Sequence, residues 1–273
     1  MVLKQDKWFN NYGDGLRPSM VLINLLVQIK PKRYMKQLII ALSAALVLSS
    51  CQLFGYKHIE GNGIIATQTR NAQTANKLKM AGSFDVEITE GPTVSVQIEG
   101  DENILPYIIV EDRDGFLVIK TKEHINYSAT NDIKVFVTTP KLEQVILAGS
   151  GNIIGKSKFS GSDKLDLKIA GSGDMKLEVN TPNVHSEIAG SGSIALKGET
   201  KDESVKIAGV GDYNADELKA ETAKISIAGS GDVKVFAAAN LDVNIAGAGT
   251  VYYKGSPTLK QRIAGSGEIK KID

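Results

Sequence analysis

A five-residue motif, an aliphatic residue followed by Ala-Gly-x-Gly, recurs along the second half of the chain and constrains its fold more than any other feature. The second glycine of each copy is Gly151, Gly173, Gly192, Gly211, Gly231, Gly249 or Gly267. Successive copies are separated by 22, 19, 19, 20, 18 and 18 residues. Such a period is typical of stacked-repeat proteins, in which each repeat forms one structural unit.

When the repeats are aligned with one another, equivalent positions carry the same kind of side chain. The residue before Ala-Gly is always Leu or Ile, and the second residue after the motif is always apolar. Apolar and polar residues alternate on both sides of the motif, as in residues 164–169 and 174–179, which indicates strands with one buried face. We therefore predict two strands per repeat, joined at the Gly-x-Gly segment, hereafter the corner, where glycine permits positive φ.

Two architectures satisfy this pattern: a solenoid with one coil per repeat, and an antiparallel meander with one hairpin per repeat. The uniform Ile and Ala positions favour the solenoid, because residues stacked about 4.8 Å apart in a core must match in size. We therefore predict an all-β fold, a right-handed parallel β-helix (β-solenoid) of 18–22-residue coils. Both the Ile and the Ala columns are expected in its core.

The segment before the first repeat is also strand-like but less regular. Residues 83–100 alternate around Gly91-Pro92, and residues 107–122 alternate around Asp114-Gly115, a strong hairpin signal. Residues 80–85 (MAGSFD) look like a degenerate copy of the motif. Because these strands run into the repeats without a linker, we predict one β body continuous with the solenoid over residues 61–273.

The N-terminal region resembles a bacterial lipoprotein signal. From Met35 the chain reads MKQLIIALSAALVLSSC, a basic start, a short apolar run and small residues before Cys51, which is the only cysteine of the protein. We predict a lipoprotein signal peptide at residues 35–51, lipidation of Cys51 and a tether at residues 52–60. Residues 1–34 are predicted to be an over-called or disordered extension, with Met35 as the true start. An uncleaved N-terminal anchor is the alternative.

The charge distribution excludes one class of partner. The first 51 residues hold seven of the 32 Lys and Arg and two of the 31 Asp and Glu, which leaves 25 basic and 29 acidic residues in the exported part. Nucleic-acid binding requires a positive stripe, and this balance gives none. Acyl chains on Cys51 would instead hold the protein to a membrane, with the outer membrane or the cell surface as the expected location.

Several segments ahead of the repeats resemble a known family. The runs GSFDVEITEG, DENILPYI, GFLVIKTK and IKVFVTTPKLEQVILAGSGNI occur in that order and are similar to the head GIN domain of auto-transporter adhesins. The resemblance covers roughly residues 60–273. It implies a right-handed β-helix and a cell-envelope setting, and it supplies no catalytic residues.

The repeats contain two groups of residues that could be mistaken for functional sites. An acidic column follows the corner: Asn152, Asp174, Ser193, Asp212, Asp232, Thr250 and Glu268. Stacked carboxylates could bind Ca²⁺, but neutral residues interrupt the column, so we expect it to be solvated and to help turn the corner. The corner serines are replaced by Val210 and Ala248 in equivalent repeats, which indicates a requirement for small size, not a nucleophile.

The three histidines, His58, His124 and His185, match no catalytic motif, and no metal or cofactor is predicted. We therefore expect a non-catalytic adhesin, or a binding or structural module, that contacts glycan or envelope protein. The alternative is a polysaccharide-acting β-helix enzyme, which would need carboxylates clustered on one face. Tyr252 and Tyr253 are the first candidates for contact residues, whereas Tyr213 falls on an apolar column and is expected in the core.

Overall fold

Parallel stacking of the glycine corners organises the part of the protein that the structure describes. The computed structural model describes residues 56–273, and these residues, Tyr56–Asp273, form one compact unit. The predicted extension, the signal peptide with Cys51 and the first residues of the tether lie outside the described residues. The last tether residues, 57–60, form the first strand.

The strands before the first regular repeat, together with one 3-10 helix at Leu105–Tyr107, make up the N-terminal part. They are β1 Lys57–Glu60, β2 Ile65–Arg70, β3 Lys77–Gly82, β4 Asp85–Glu90, β5 Ser95–Asp101, β6 Ile108–Arg113, β7 Phe116–Thr121, β8 Ile125–Ser128 and β9 Lys134–Thr139.

The strands of the repeats follow in chain order. They are β10 Gln144–Gly149, β11 Asn152–Phe159, β12 Lys164–Gly171, β13 Asp174–Asn180, β14 Asn183–Gly190, β15 Ser193–Gly209, β16 Asp212–Gly229, β17 Val233–Gly247, β18 Thr250–Lys254, β19 Thr258–Gly265 and β20 Glu268–Lys271. The long strands β15, β16 and β17 each run from one corner to the next without a break.

Each strand that ends at a corner pairs in parallel with its counterpart one coil away. The first corner glycines stack in one unbroken register: Gly82, Gly149, Gly171, Gly190, Gly209, Gly229, Gly247 and Gly265. The predicted β-solenoid is therefore confirmed and the antiparallel meander is excluded. The degenerate copy at residues 80–85 is a true corner, because β10 stacks on β3 and β11 stacks on β4.

The corner requires glycine for two reasons, which Gly209 illustrates. Its φ is +133°, a backbone conformation that residues with a side chain rarely adopt. A Cβ atom there would also overlap the carbonyl oxygen of Gly190 on the neighbouring coil. That carbonyl accepts a hydrogen bond from the backbone N–H of Val210 at 3.0 Å. At the corners, the backbone of one coil therefore packs directly on the backbone of the next, and the space beside this glycine cannot hold a side chain.

The core is a set of stacked aliphatic columns, as expected, but the Ala column is not part of it. The aliphatic residue before Ala is buried in every coil from Leu147 to Ile245. The adjacent alanines are half-buried or exposed, from Ala81 to Ala264. The prediction of a buried Ala column was wrong, because successive side chains of a strand point to opposite faces and the Ile side chain already points inward.

A cap built partly of antiparallel strands covers the N-terminal end of the solenoid. After β4 the chain leaves the first coil, and β7 and β9 pair in parallel with the outer edges of β3 and β4. Antiparallel strands continue the sheet beyond them: β6 on β7, β5 on β9 and β2 on β5. Asp101, at the end of β5, is buried and accepts backbone hydrogen bonds from Thr130 and Asn131, so it fixes the loop after β8.

At the C-terminal end of the solenoid, the last coil is paired on one side only among residues 56–273. There, β19 pairs with β17 and β20 pairs with β18. Leu259 and Ile263, in the core columns of this last coil, are 36% and 40% exposed. Parallel edges of this kind are templates for pairing with another chain, and charged side chains commonly protect them.

Lys270 and Lys271 lie on this edge, and replacing both with valine is expected to cause self-association. The substitution removes two positive charges beside an uncovered core and leaves a β-branched edge. Sedimentation velocity would show the variant shifting to faster species as concentration rises. Unchanged sedimentation would contradict the protective role of the lysines, and Lys176→Val/Lys234→Val, on mid-rod strands, is the matched control.

Candidate functional site

The acidic column beside the corners has a structural role in the backbone. Oδ1 of Asp174 accepts the backbone N–H of Ser193 at 3.0 Å, and Oδ1 of Asp232 accepts that of Thr250 at 3.0 Å. Asp212 accepts the N–H of Asp232 in the same way at 3.2 Å. Each carboxylate therefore satisfies an amide of the next coil just after the corner, as expected for residues that help turn it.

A metal site is not assembled on this column. Within residues 56–273, no group of three or more His, Cys, Asp or Glu side chains is arranged to hold a metal ion. In the hydrogen bonds above, Oδ1 of each aspartate is engaged with a backbone amide.

One serine, one histidine and one carboxylate meet on the small sheet formed by β1 and β8. Nε2 of His58 lies 2.8 Å from Oε1 of Glu60 and 3.2 Å from Oγ of Ser128. Both contacts use the same ring nitrogen, whereas a catalytic triad needs the acid on one nitrogen and the nucleophile on the other. This contact is therefore a surface hydrogen-bond cluster.

A buried polar cluster interrupts the solenoid core in the middle of the repeats. Tyr213 is fully buried, as expected for its column, and its hydroxyl donates to Oε1 of Glu203 at 2.8 Å. Ser186 donates to the same hydroxyl at 3.4 Å. Oε2 of Glu203 has no hydrogen-bond partner among the described residues. Glu203 occupies a core column between Val184 and Ala223 and was not predicted from the sequence as a member of a cluster.

Burial determines the protonation of this cluster. Removal from water disfavours the charged carboxylate and raises the pKa of Glu203 from 4.5 to about 8, although the hydrogen bond from Tyr213 acts in the opposite direction. Burial also raises the pKa of Tyr213, and the adjacent Glu203 raises it further. At neutral pH both groups are therefore protonated. The cluster is sealed inside the rod and no substrate reaches it.

The surface of the described part has shallow depressions instead of a cleft. One depression, of about 310 Å³, lies beside the turn between β11 and β12 and is lined by both positively and negatively charged side chains. Its charged lining residues are Lys77, Lys141, Lys164, Glu143, Asp163 and Asp166. Lys141 pairs with Glu143 at 2.5 Å, and Lys164 pairs with Asp166 at 2.8 Å. Two of the three carboxylates are thus neutralised by lysines, and the surface offers donors and acceptors to a polar ligand.

A second depression, of about 420 Å³, lies between the cap and the first coils. Phe116, Val118 and Ile146 form its apolar part, and Lys79, Arg113 and Lys120 lie around them. Of the tyrosines expected to make contacts, Tyr252 and Tyr253 are only half-buried, and Tyr253 packs against the core. Tyr252 therefore remains the better candidate for a contact residue.

Residues 56–273 contain no helix with the length and hydropathy needed to cross a bilayer.

Solved structures share this architecture. A crystal structure from Bacteroides fragilis NCTC 9343, described as a putative adhesin, superposes with a TM-score of 0.74 at 24% identity and covers 78% of this chain and 100% of its own. A structure from Parabacteroides distasonis ATCC 8503, described as a putative lipid binding protein, gives a TM-score of 0.67 at 27% identity, with 80% and 100% covered. A second P. distasonis structure, described as a putative adhesin, gives 0.63 at 24%, with 79% and 100% covered.

No curated protein is significantly similar to the chain in sequence. The family described as "Putative auto-transporter adhesin, head GIN domain" matches residues 75–257, which run from just before β3 to just after β18 and include every corner except the last. This match confirms the resemblance inferred from the sequence, and the chain belongs to the head GIN domain family.

Proposed function

We propose that the protein is a non-catalytic, adhesin-type module of the cell envelope, anchored by lipid on Cys51. The observation that carries the proposal is the regular rod: its coils are joined by short glycine corners, and the depressions found on the described surface, one polar and one partly apolar, form no walled cleft. Membership of the head GIN family supports the adhesin class. The structural neighbours are described as adhesins or as a lipid-binding protein, and none of these descriptions names an enzyme.

The position of the first described residue supports an anchor at the cap end. Tyr56 lies five residues after Cys51, and five residues span at most about 18 Å. β1 follows at once and pairs with β8 of the cap. A bilayer holding acyl chains on Cys51 would therefore lie close to the cap. Tyr56, Ile64 and Ile65, which are among the exposed large apolar side chains, are all on this part of the chain.

The outer faces of the rod suit weak, repeated contacts with a polar surface. Lysines and carboxylates alternate on neighbouring coils, as in the pair of Lys168 with Glu187 at 3.0 Å. The depression that contains Asp163 adds hydrogen-bond donors and acceptors of both charges. Glycan or envelope protein is the partner that this chemistry fits.

Replacing Cys51 with serine is expected to release the protein from the membrane fraction. The full chain should partition into the detergent phase of a phase-separating non-ionic detergent, and Cys51→Ser should move to the aqueous phase, because the acyl chains provide the membrane affinity. A chain beginning at Met35 is the matched control and should partition like the full chain. Retention of Cys51→Ser in the membrane fraction, or an unmodified cysteine by mass spectrometry, would contradict the anchor.

The same preparations separate binding from catalysis. A binding module is retained on immobilised glycan or envelope protein, also in the presence of a chelator, and releases no product from polysaccharide. Release of soluble sugar would contradict the non-catalytic part of the proposal and favour the polysaccharide-acting alternative.

A further inference from the structure

At the C-terminal end of the rod, the charged side chains of β19 are all of one sign, whereas β20 carries both Glu268 and lysines. β19 contains Lys260 and Arg262 and no carboxylate, and all eight of its residues are exposed. No described coil covers its inward side chains, since Leu259 is 36% exposed whereas Leu241, one coil back, is 1% exposed. The edge therefore has unpaired backbone groups, an uncovered apolar line and two cations.

Within the rod, several charged residues face a residue of opposite charge on the adjacent coil. Glu178 and Lys197 are register partners, and their charged atoms are 2.9 Å apart. The hydrogen bond with Lys197 lowers the pKa of Glu178, and the same bond raises the pKa of Lys197. Lys260 has such a partner on its inner side only: Asp242 of β17, at 3.6 Å.

This stacking pattern defines what would complete the last coil. A strand that extends the sheet beyond β19 would place apolar residues over Leu259 and Ile263 and carboxylates over Lys260 and Arg262. Alternation of apolar and acidic residues is also what a strand with one buried face requires.

A second copy of this protein does not supply such a strand. Joining two copies by their C-terminal ends would bring Lys260 and Arg262 of each copy to one interface. At the cap end, the outermost strands are β2 and β6, and the carboxylates of β6 are already engaged. Glu111 pairs with Lys120 at 3.0 Å, and Asp112 accepts the backbone N–H of Gln73 at 2.9 Å.

We infer that the open edge of β19 is a binding site for an acidic, extended segment of another protein, which adds to the rod as one further strand. Backbone hydrogen bonds supply affinity in this mode of recognition, and side chains at alternate positions supply specificity. Lys260 and Arg262 select the acidic residues of the segment. The inference does not depend on the lipid anchor, and with the anchor at the cap this edge is the end of the rod remote from the tether.

A charge-swap experiment with the full chain tests the inference. The probe is a synthetic peptide with the sequence of residues 240–247 carrying Asn244→Glu, which places Asp and Glu over Lys260 and Arg262. The control peptide carries Asp242→Lys and Asn244→Lys. We expect the acidic peptide to bind the wild-type protein at least tenfold more tightly at low salt, by fluorescence anisotropy, and Lys260→Glu/Arg262→Glu to reverse the preference.

A second protein variant distinguishes the edge from the general charge of the rod. Lys206→Glu/Lys224→Glu makes the same charge change in the same two columns, on coils that are covered on both sides. It should leave the peptide preference unchanged. Equal affinity for the two peptides, no binding of either, or an equal effect of the mid-rod variant would overturn the inference, and circular dichroism checks that every variant keeps its strands.

Discussion

Replacing Gly209 with alanine is expected to destabilise the protein by on the order of 4 kcal/mol. Alanine at a φ of +133° is strained, and its Cβ would overlap the carbonyl oxygen of Gly190 in the adjacent coil. Relief would require the two coils to separate, which would lengthen the hydrogen bond from Val210 to that carbonyl. Urea unfolding followed by far-ultraviolet circular dichroism should show a large fall in the midpoint.

The next residue along the chain provides the control. Val210 is 58% exposed, and serine occupies this corner position in most other coils. Val210→Ser should change the unfolding free energy by less than about 0.5 kcal/mol. If Gly209→Ala and Val210→Ser unfold at the same urea concentration, the corner does not require glycine at position 209.

Replacing Glu203 with glutamine is expected to stabilise the protein at neutral and alkaline pH. The native carboxyl keeps its proton up to about pH 8, whereas the same carboxyl in the unfolded chain loses it near pH 4.5. Between these values the unfolded state binds fewer protons, so the stability of the wild-type protein falls as pH rises. At pH 7 the loss is on the order of 3 kcal/mol, which glutamine avoids because it carries no charge.

The measurement is urea unfolding of both proteins at pH 4.5 and pH 8. Wild type and Glu203→Gln should differ little at the lower pH, and the variant should be clearly more stable at the higher one. Glu199→Gln, which changes an exposed carboxyl on the same strand, should follow the wild-type profile. Parallel pH profiles for wild type and Glu203→Gln would show that the buried carboxyl does not control stability.

The repeats could be predicted from the sequence because each coil must solve the same packing problem. Glycine at the corner and an aliphatic residue before Ala are required wherever one coil lies on another. The spacing of the motif in the sequence therefore predicts the stacking register, such as that of Gly171 on Gly149. The alternation of buried and exposed residues was visible too. Applied to the motif itself, it would have placed Ala170 outside, next to the buried Ile169.

Local patterns predict only one hairpin of the cap and not the order of its other strands. The Asp114-Gly115 signal correctly joins β6 and β7, with φ values of +53° and +77°. The turn at Gly91-Pro92 suggests that β4 and β5 are neighbours, but β9 lies between them, parallel to one and antiparallel to the other. The pairing of β4 with β9 joins residues 49 positions apart, and local turn residues give no signal for such a contact.

The buried cluster could have been found by comparing the repeats with one another. Glu203 and Ser186 are polar residues in columns that are otherwise apolar in the neighbouring coils. Tyr213 is larger than Ile194 and Val233 in its own column, and Ala223 beside Glu203 is small. A bulky residue with small neighbours in adjacent coils indicates compensated packing, but only the structure shows that the Tyr213 hydroxyl reaches Glu203.

The identical corners make the length of the rod a quantity that gene duplication can adjust. A duplicated unit of about 20 residues would carry its own glycine ladder and would join its neighbours through the contacts that every coil already makes. Each such insertion would move the tip about 4.8 Å farther from the cap and leave both ends as they are. Evolution could therefore change the length of this rod without redesigning either the cap or the last coil.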